Sequence, residues 1–247
     1  MIIVANWKAY VEDSGKAKRL LTLAKKIARG TKNTIVLAPP APFLGMLAVQ
    51  NKSAVTFAAQ DISATTGGAK TGETTAQMCA SAGASYAIIG HSERRAMGDT
   101  RAIIIEKLSH ALACNLTPII CVGEQERDHE GKYLAFVREE ITSALSTLTP
   151  KERAKVIIAY EPIWAIGKTA ENAIAPPDLA EMTLYIHKVL AELMPGKNSN
   201  HTKVLYGGSV FSADVRELAI ASAVDGFLVG RASADERLFS ELVKKLV

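Results

Sequence analysis

The sequence is poor in several features that would each point to a particular kind of protein. It has three cysteines, Cys79, Cys114 and Cys121, an odd number at spacings that suit neither a disulfide framework nor a metal site. A reducing compartment is the simplest setting for such a chain. It has no dense basic tract: the net charge is +4 and the basic pairs Lys25-Lys26, Arg94-Arg95 and Lys244-Lys245 are scattered, so nucleic acid is not an expected partner. A mild positive balance suits a small anionic substrate instead. No apolar run approaches the length of a membrane span, so no membrane partner is expected. Met1 leads directly into Ile2-Ile3-Val4-Ala5 without a basic segment, an apolar stretch and a cleavage site, and the expected location is the cytoplasm. No set of His, Cys, Asp and Glu has metal-ligand spacing, and no metal or other cofactor is expected.

What is present is an alternation. Short β-branched apolar runs occur at 2–5, 34–38, 55–59, 86–90, 117–122, 156–160, 203–206 and 226–229, and each is followed by a stretch with helical spacing. Ser14 to about Ala28 carries Leu20, Leu21, Leu23, Ala24 and Ile27 on one face, with Ser14 expected as its N-cap and Gly30 just past its end. Further helices are expected at 43–50, 75–82, 100–114, 132–148, 177–193, 214–221 and 238–246. Continuous apolar strands alternating with helices imply parallel βα units. Eight units in 247 residues, without a linker and without a Gly-rich dinucleotide turn after the first strand, select a single (β/α)8 barrel domain, the TIM-barrel architecture, over 1–247.

Chemistry in a barrel collects at the C-terminal ends of its strands. Those ends offer Asn6 and Lys8, then Gln60 and Asp61, then His91, Ser92 and Glu93, then Cys121, Gly123 and Glu124, then Glu161, then Tyr206, Gly207, Gly208 and Ser209, and last Gly230 and Arg231. Glu161 sits on a strand end, with Pro162 stopping the ladder and a loop containing Trp164 and Gly167 following, an arrangement suited to a general base under a lid. Each residue alone has a plainer explanation. Glu161 could be solvated, His91 a hydrogen-bonded structural residue, Cys121 packing, and Lys8, Glu93 and Glu124 a structural ion network. Their joint occurrence points to a carboxylate base, the electrophiles His91, Lys8 and Asn6, and a backbone-amide anion grip at Gly208-Ser209 and Gly230. Such a set suits proton abstraction beside a carbonyl on a phosphorylated substrate.

The motifs Asn6-Trp7-Lys8, Gly90-His91-Ser92-Glu93-Arg94-Arg95, Cys121-Val122-Gly123-Glu124, Tyr160-Glu161-Pro162-Ile163-Trp164-Ala165-Ile166-Gly167 and Tyr206-Gly207-Gly208-Ser209, in this order along the whole chain, resemble the triosephosphate isomerase family. The resemblance implies interconversion of dihydroxyacetone phosphate and D-glyceraldehyde 3-phosphate, without a cofactor. It implies that Glu161 shuttles the proton, that His91 acts as a neutral imidazole, and that Lys8 and Asn6 place the substrate and its oxyanion. Amides of Gly167, Ser209, Gly230 and Arg231 would hold the phosphate, while Ser92, Glu93, Cys121, Tyr206 and Gly208 would support the site. The loop carrying Thr71, Gly72 and Glu73 would insert beside a partner's Asn6 and Lys8, which implies a homodimer.

The chain departs from the family pattern at the lid, which after Gly167 runs about two residues longer, and at Arg231, where a second glycine is usual. Lys70 stands in place of a common aromatic and Ala9 in place of a common Met. These departures motivate an alternative substrate, a longer ketose phosphate such as a tetrulose phosphate. A catalytically silent phosphate-binding barrel is the alternative from a different class.

Overall fold

The computed structural model describes residues 1–167, 173–194 and 202–246. Eight parallel strands close on one another in sequence order: β1 (Ile2–Asn6), β2 (Thr34–Ala38), β3 (Thr56–Ala59), β4 (Tyr86–Ile89), β5 (Thr117–Val122), β6 (Ile157–Tyr160), β7 (Val204–Tyr206) and β8 (Gly226–Val229). β8 returns to pair with β1, with Phe227 opposite Ile3 and Val229 opposite Ala5. Around them lie α1 (Ser14–Arg29), α2 (Ala41–Gln50), α3 (Ala76–Ser81), α4 (Ser92–Ala96), α5 (Arg101–Ala113), α6 (Lys132–Leu145), α7 (Pro150–Arg153), α8 (Pro176–Leu193), α9 (Val215–Ser222) and α10 (Glu236–Lys245). No helix among the described residues is long and apolar enough to cross a membrane.

The strands are apolar on both faces because both are buried, and the two faces feed two separate cores. Ile3, Ala5, Ile35, Leu37, Ile89, Ile120, Ile158 and Phe227 pack outward against the helices. Val4, Val36, Ala38, Ala58, Ile88, Ile119, Cys121, Ile157, Ala159, Leu205 and Leu228 fill the barrel interior. Side chains alternate along a strand, so the inward set continues by twos into the barrel mouth. Val4 is followed by Asn6 and Lys8, Ala58 by Gln60, Ala159 by Glu161, Leu205 by Gly207 and Leu228 by Gly230. The candidate residues at these positions are therefore placed by the same alternation that builds the core.

Local signals differ from expectation at several ends. The N-cap of α1 is Asp13, whose carboxylate accepts from the Lys16 amide at 2.8 Å; Ser14 is the first helical residue. Asp accepts from the amides of the first turn as well as Ser does, and the residue with extended backbone takes the role. Gly30 ends α1 at φ −101°, without the left-handed turn expected of it. The expected helix 132–148 ends at Leu145, and the four-residue α7 follows, started by a capping box between Thr149 and Glu152. The lid segment 168–172 lies outside the described residues.

Candidate active site

Glu161 follows β6 with its side chain directed into the barrel mouth and only 2% of its surface exposed. Its Oε2 accepts the Ser92 amide at 3.2 Å. Its Oε1 has no hydrogen-bond partner among the described residues and lies 3.4 Å from His91 Nε2. A buried carboxylate oxygen left open beside an imidazole is uncommon, because buried polar atoms are nearly always paired.

His91 does not reach the mouth by strand alternation. After the inward Ile88, the inward position is Gly90, and His91 would face away. Gly90 adopts φ +69°, a left-handed turn that glycine takes without strain, and it swings the next residue inward. His91 then caps α4, its Nδ1 accepting the Glu93 amide at 3.2 Å. A ring nitrogen that accepts an N–H carries no proton, so the imidazole presents Nε2–H toward Glu161 and the mouth as a neutral donor.

Lys8 continues the inward series of β1 with φ +46°, an unusual conformation for a residue with a side chain. Several bonds hold it there: its amide donates to Asn6 Oδ1 at 3.1 Å, and its carbonyl accepts from Gln60 Nε2 at 3.0 Å. Its ammonium donates to Glu93 Oε1 at 2.7 Å. Gly230 faces it from β8, where an added Cβ would stand 3.4 Å from Lys8 Cε. Asn6 is 4% exposed. Asn6, Lys8, His91, Glu93 and Glu161 are thus brought together from β1, β4 and β6.

The remaining candidate residues rim this cluster. Ser209 donates its hydroxyl to the Ala165 carbonyl at 2.8 Å, joining the loop after β7 to the short 3-10 turn Ile163–Ala165. Gly167 has φ +71°, and Arg231 is exposed at the start of a second 3-10 turn, Arg231–Ala234. Gly208 crosses close over the buried Tyr206 hydroxyl. Cys121 lies in the barrel interior, where burial first and the charge of Glu161 second push its thiol well above the ordinary range. It is packing, not a nucleophile.

Two elements of the site were not anticipated. Glu124 belongs to no ion network with Lys8 and Glu93; it is 2% exposed, and its Oε1 accepts from the Tyr160 hydroxyl and from Trp164 Nε1, both at 2.8 Å. Below it, Arg95 donates to the Gly90 carbonyl at 2.7 Å and the Cys121 carbonyl at 2.9 Å, and pairs with Glu140 of α6 at 2.8 Å. Glu140 in turn accepts the Gly123 amide at 2.9 Å. This pair, with Glu140 buried and Arg95 half-buried, ties the ends of β4 and β5 together. An acid in the apolar stripe of α6, beside Val137, Ile141 and Ala144, was its only trace in the sequence.

A cavity of about 800 Å³ opens beside the cluster, lined by Asn6, Lys8, His91 and Arg94 on one side and Lys70, Gly72 and Glu73 on the other. Glu161 does not line it. It separates the body of the barrel from the loop 63–74, whose base is closed by the Ser63 amide donating to the Thr74 carbonyl at 2.8 Å and whose tip, including Thr71, is exposed.

A buried carboxylate, an imidazole and an ammonium gathered at the mouth of a closed (β/α)8 barrel belong to the class of barrel proteins whose polar groups collect at the C-terminal ends of the strands. The sequence model of the family described as Triosephosphate isomerase matches residues 1–246. The chain is 37% identical over 251 residues to the triosephosphate isomerase of Porphyromonas gingivalis, covering 98% of each chain. It is 36% identical over 248 residues to that of Corynebacterium diphtheriae, covering 98% of this chain and 95% of that one. It is 35% identical over 247 residues to that of Thermus thermophilus, covering 99% and 98%. The chain belongs to the triosephosphate isomerase family, the aldose–ketose isomerases of small phosphorylated sugars.

Proposed function

We propose that the chain interconverts dihydroxyacetone phosphate and D-glyceraldehyde 3-phosphate through an enediolate, with Glu161 as the proton shuttle. The single observation that supports this most is the open Oε1 of Glu161 beside the Nε2–H of His91, at 3.4 Å. Glu161 takes the proton from the substrate's hydroxymethyl carbon, and the C–H electron pair forms the enediolate double bond as the carbonyl electrons move onto oxygen. His91 Nε2–H and the Lys8 ammonium stabilise that oxygen, and Asn6 places both oxygens. Glu161 then returns the proton to the neighbouring carbon, while His91 exchanges protons between the oxygens. Neutral rather than protonated histidine in this role is the tuning for which triosephosphate isomerases are the standard illustration. Glu93 holds Lys8, and the Ser92 amide holds Glu161. The phosphate is gripped by amides at Gly167, Ser209, Gly230 and Arg231.

The enzyme acts in the cytoplasm as a homodimer, each loop 63–74 entering the partner's cavity so that Thr71, Gly72 and Glu73 back the partner's Asn6 and Lys8. The exposed side chains of Met78 and Met97, at 56% and 74%, support this reading. Arg231 at the rim favours one further substrate, a longer ketose phosphate such as a tetrulose phosphate. The test is turnover of both substrates by wild type and Glu161→Asp. Withdrawing the carboxylate by one methylene is expected to lower kcat on triose phosphate by at least about 10²-fold with an unchanged circular dichroism spectrum. Undiminished activity would remove Glu161 from the mechanism.

A further inference from the structure

Charge is divided unevenly between the two ends of the barrel. The candidate site lies at the C-terminal ends of the strands, and the segments that lead from each helix into the next strand lie at the other end. Between Asp13 and Asp61 the chain has no Asp or Glu, yet Lys26, Arg29, Lys32 and Lys52 fall at that far end and are exposed. The fold brings further cations to them. Asn33 accepts from the Met1 ammonium at 3.1 Å and donates to the Leu246 carbonyl at 3.2 Å, so the end of α10, with its exposed Lys244 and Lys245, meets the segment that carries Lys32. Lys25 donates to the Gln50 carbonyl at 2.7 Å, which joins the end of α1 to that of α2 and to Lys52 just beyond it. Lys151, Lys155 and Lys203, all exposed, continue the series ahead of β6 and β7.

The acids at this end are already engaged. Glu152 closes the capping box of α7, Glu192 pairs with Arg138, and Asp225 accepts the Val204 amide at 2.9 Å and pairs with Lys203. Among the described residues, Lys203 is the one of these exposed cations with a carboxylate in ion-pair reach. Nor does the helix dipole account for the set: α2, α6, α8 and α9 end without a basic residue in the last turn, while Lys32, Lys52, Lys155 and Lys203 lie outside helices. Apolar side chains are interspersed with the cations. Met1, Val49 and Ile220 are 37%, 79% and 75% exposed, and they precede β1 or fall in the last turns of α2 and α9, at the same end.

We propose that the end of the barrel opposite the candidate site is a docking surface for a bilayer bearing anionic phospholipids, with the mouth turned away from the bilayer. Lysines near a membrane are drawn to acidic headgroups, and the attraction fades within a Debye length and with added salt. Charge alone holds such contacts weakly, and apolar side chains entering the headgroup layer add a second anchor. Met1, Val49 and Ile220 supply it here. Nucleic acid fits the surface less well. Single strands stack on aromatic side chains, and the exposed large side chains at this end are aliphatic. Duplex bases are read chiefly by arginine forks, whereas lysine, a compact point charge, prevails here. The association is with a surface and not a span, and it is independent of the reaction catalysed at the mouth.

The test is co-sedimentation of the full chain with vesicles of phosphatidylcholine and phosphatidylserine in equal parts, and with vesicles of phosphatidylcholine alone. Wild type is expected to bind the first kind several-fold more tightly at low salt, and to lose most of that preference by about 0.5 M salt. The triple variant Lys32→Glu, Lys52→Glu, Lys244→Glu should bind the anionic vesicles at least about tenfold more weakly. Val49→Ser with Ile220→Ser should weaken binding several-fold at about 0.15 M salt, where charge is partly screened. A control of the same net charge, Lys132→Glu, Arg216→Glu, Arg237→Glu, reverses exposed residues in the first turns of α6, α9 and α10, at the mouth end, and should bind as wild type does. Unchanged circular dichroism of both triple variants separates loss of the surface from loss of the fold. Equal binding to the two kinds of vesicle, or equal binding by the two triple variants, would overturn the proposal. So would retention of the chain by duplex DNA with none by the anionic vesicles.

Discussion

Gly207 stands against the side chain of Glu161: a Cβ there would lie 2.7 Å from Glu161 Cγ, well inside contact distance. The carboxylate, 3% exposed, has little room to yield. Gly207→Ala is therefore expected to push Glu161 off its line to His91 and to lower kcat by about 10²-fold, the cost typical of a displacement near 1 Å. Steady-state kinetics with a thermal melt would check it; a variant as active as wild type would show that the carboxylate relocates freely. The sequence marks Gly207 only as half of a Gly-Gly turn. That its missing side chain makes room for the base follows from β6 and β7 being neighbours, as the Gly207 amide donating to the Tyr160 carbonyl at 2.8 Å shows. Chain order alone does not give that distance.

At the scale of elements, the long amphipathic helices and the buried strands were legible, because their hydrophobic spacing is set by the two cores. The five-residue α4 was not, since it buries no side chain and is defined by the His91 cap. Nor was the Arg95–Glu140 brace, because it joins elements distant in sequence. Its energetics are testable. Burial raises the Glu140 carboxyl above its ordinary value near 4.5, while Arg95 and the Gly123 amide pull it back. A raised folded-state value means that the native state holds this proton more tightly than the unfolded chain. Its contribution therefore favours folding at acid pH and weakens as pH rises from about 4.5 through the raised value. Glu140→Gln is expected to flatten the pH dependence of Tm in that window. Denaturant melts across pH would show an unchanged slope if Glu140 did not titrate there.

The whole molecule is expected to pair with a copy of itself through the loop 63–74 and the cavity beside the cluster. Met97→Glu places a charge on an exposed apolar side chain next to that cavity. It is expected to shift the protein toward monomer in sedimentation at micromolar concentration, with a parallel loss of activity as the backing of Lys8 is withdrawn. Sedimentation identical to wild type would place the interface elsewhere.

The barrel's inward alternation has a consequence for how such a chain can change its length. Val4, Asn6 and Lys8, like Ile157, Ala159 and Glu161, share one parity, and the interior core and the candidate site are counted on the same beat. A single inserted residue between Ile157 and Glu161 would exchange the two faces of β6, sending Ala159 outward and Glu161 into the wall. The same insertion before Lys155 would be absorbed by a turn. Length variation in this fold is therefore free in the loops and restricted to even steps within the strands.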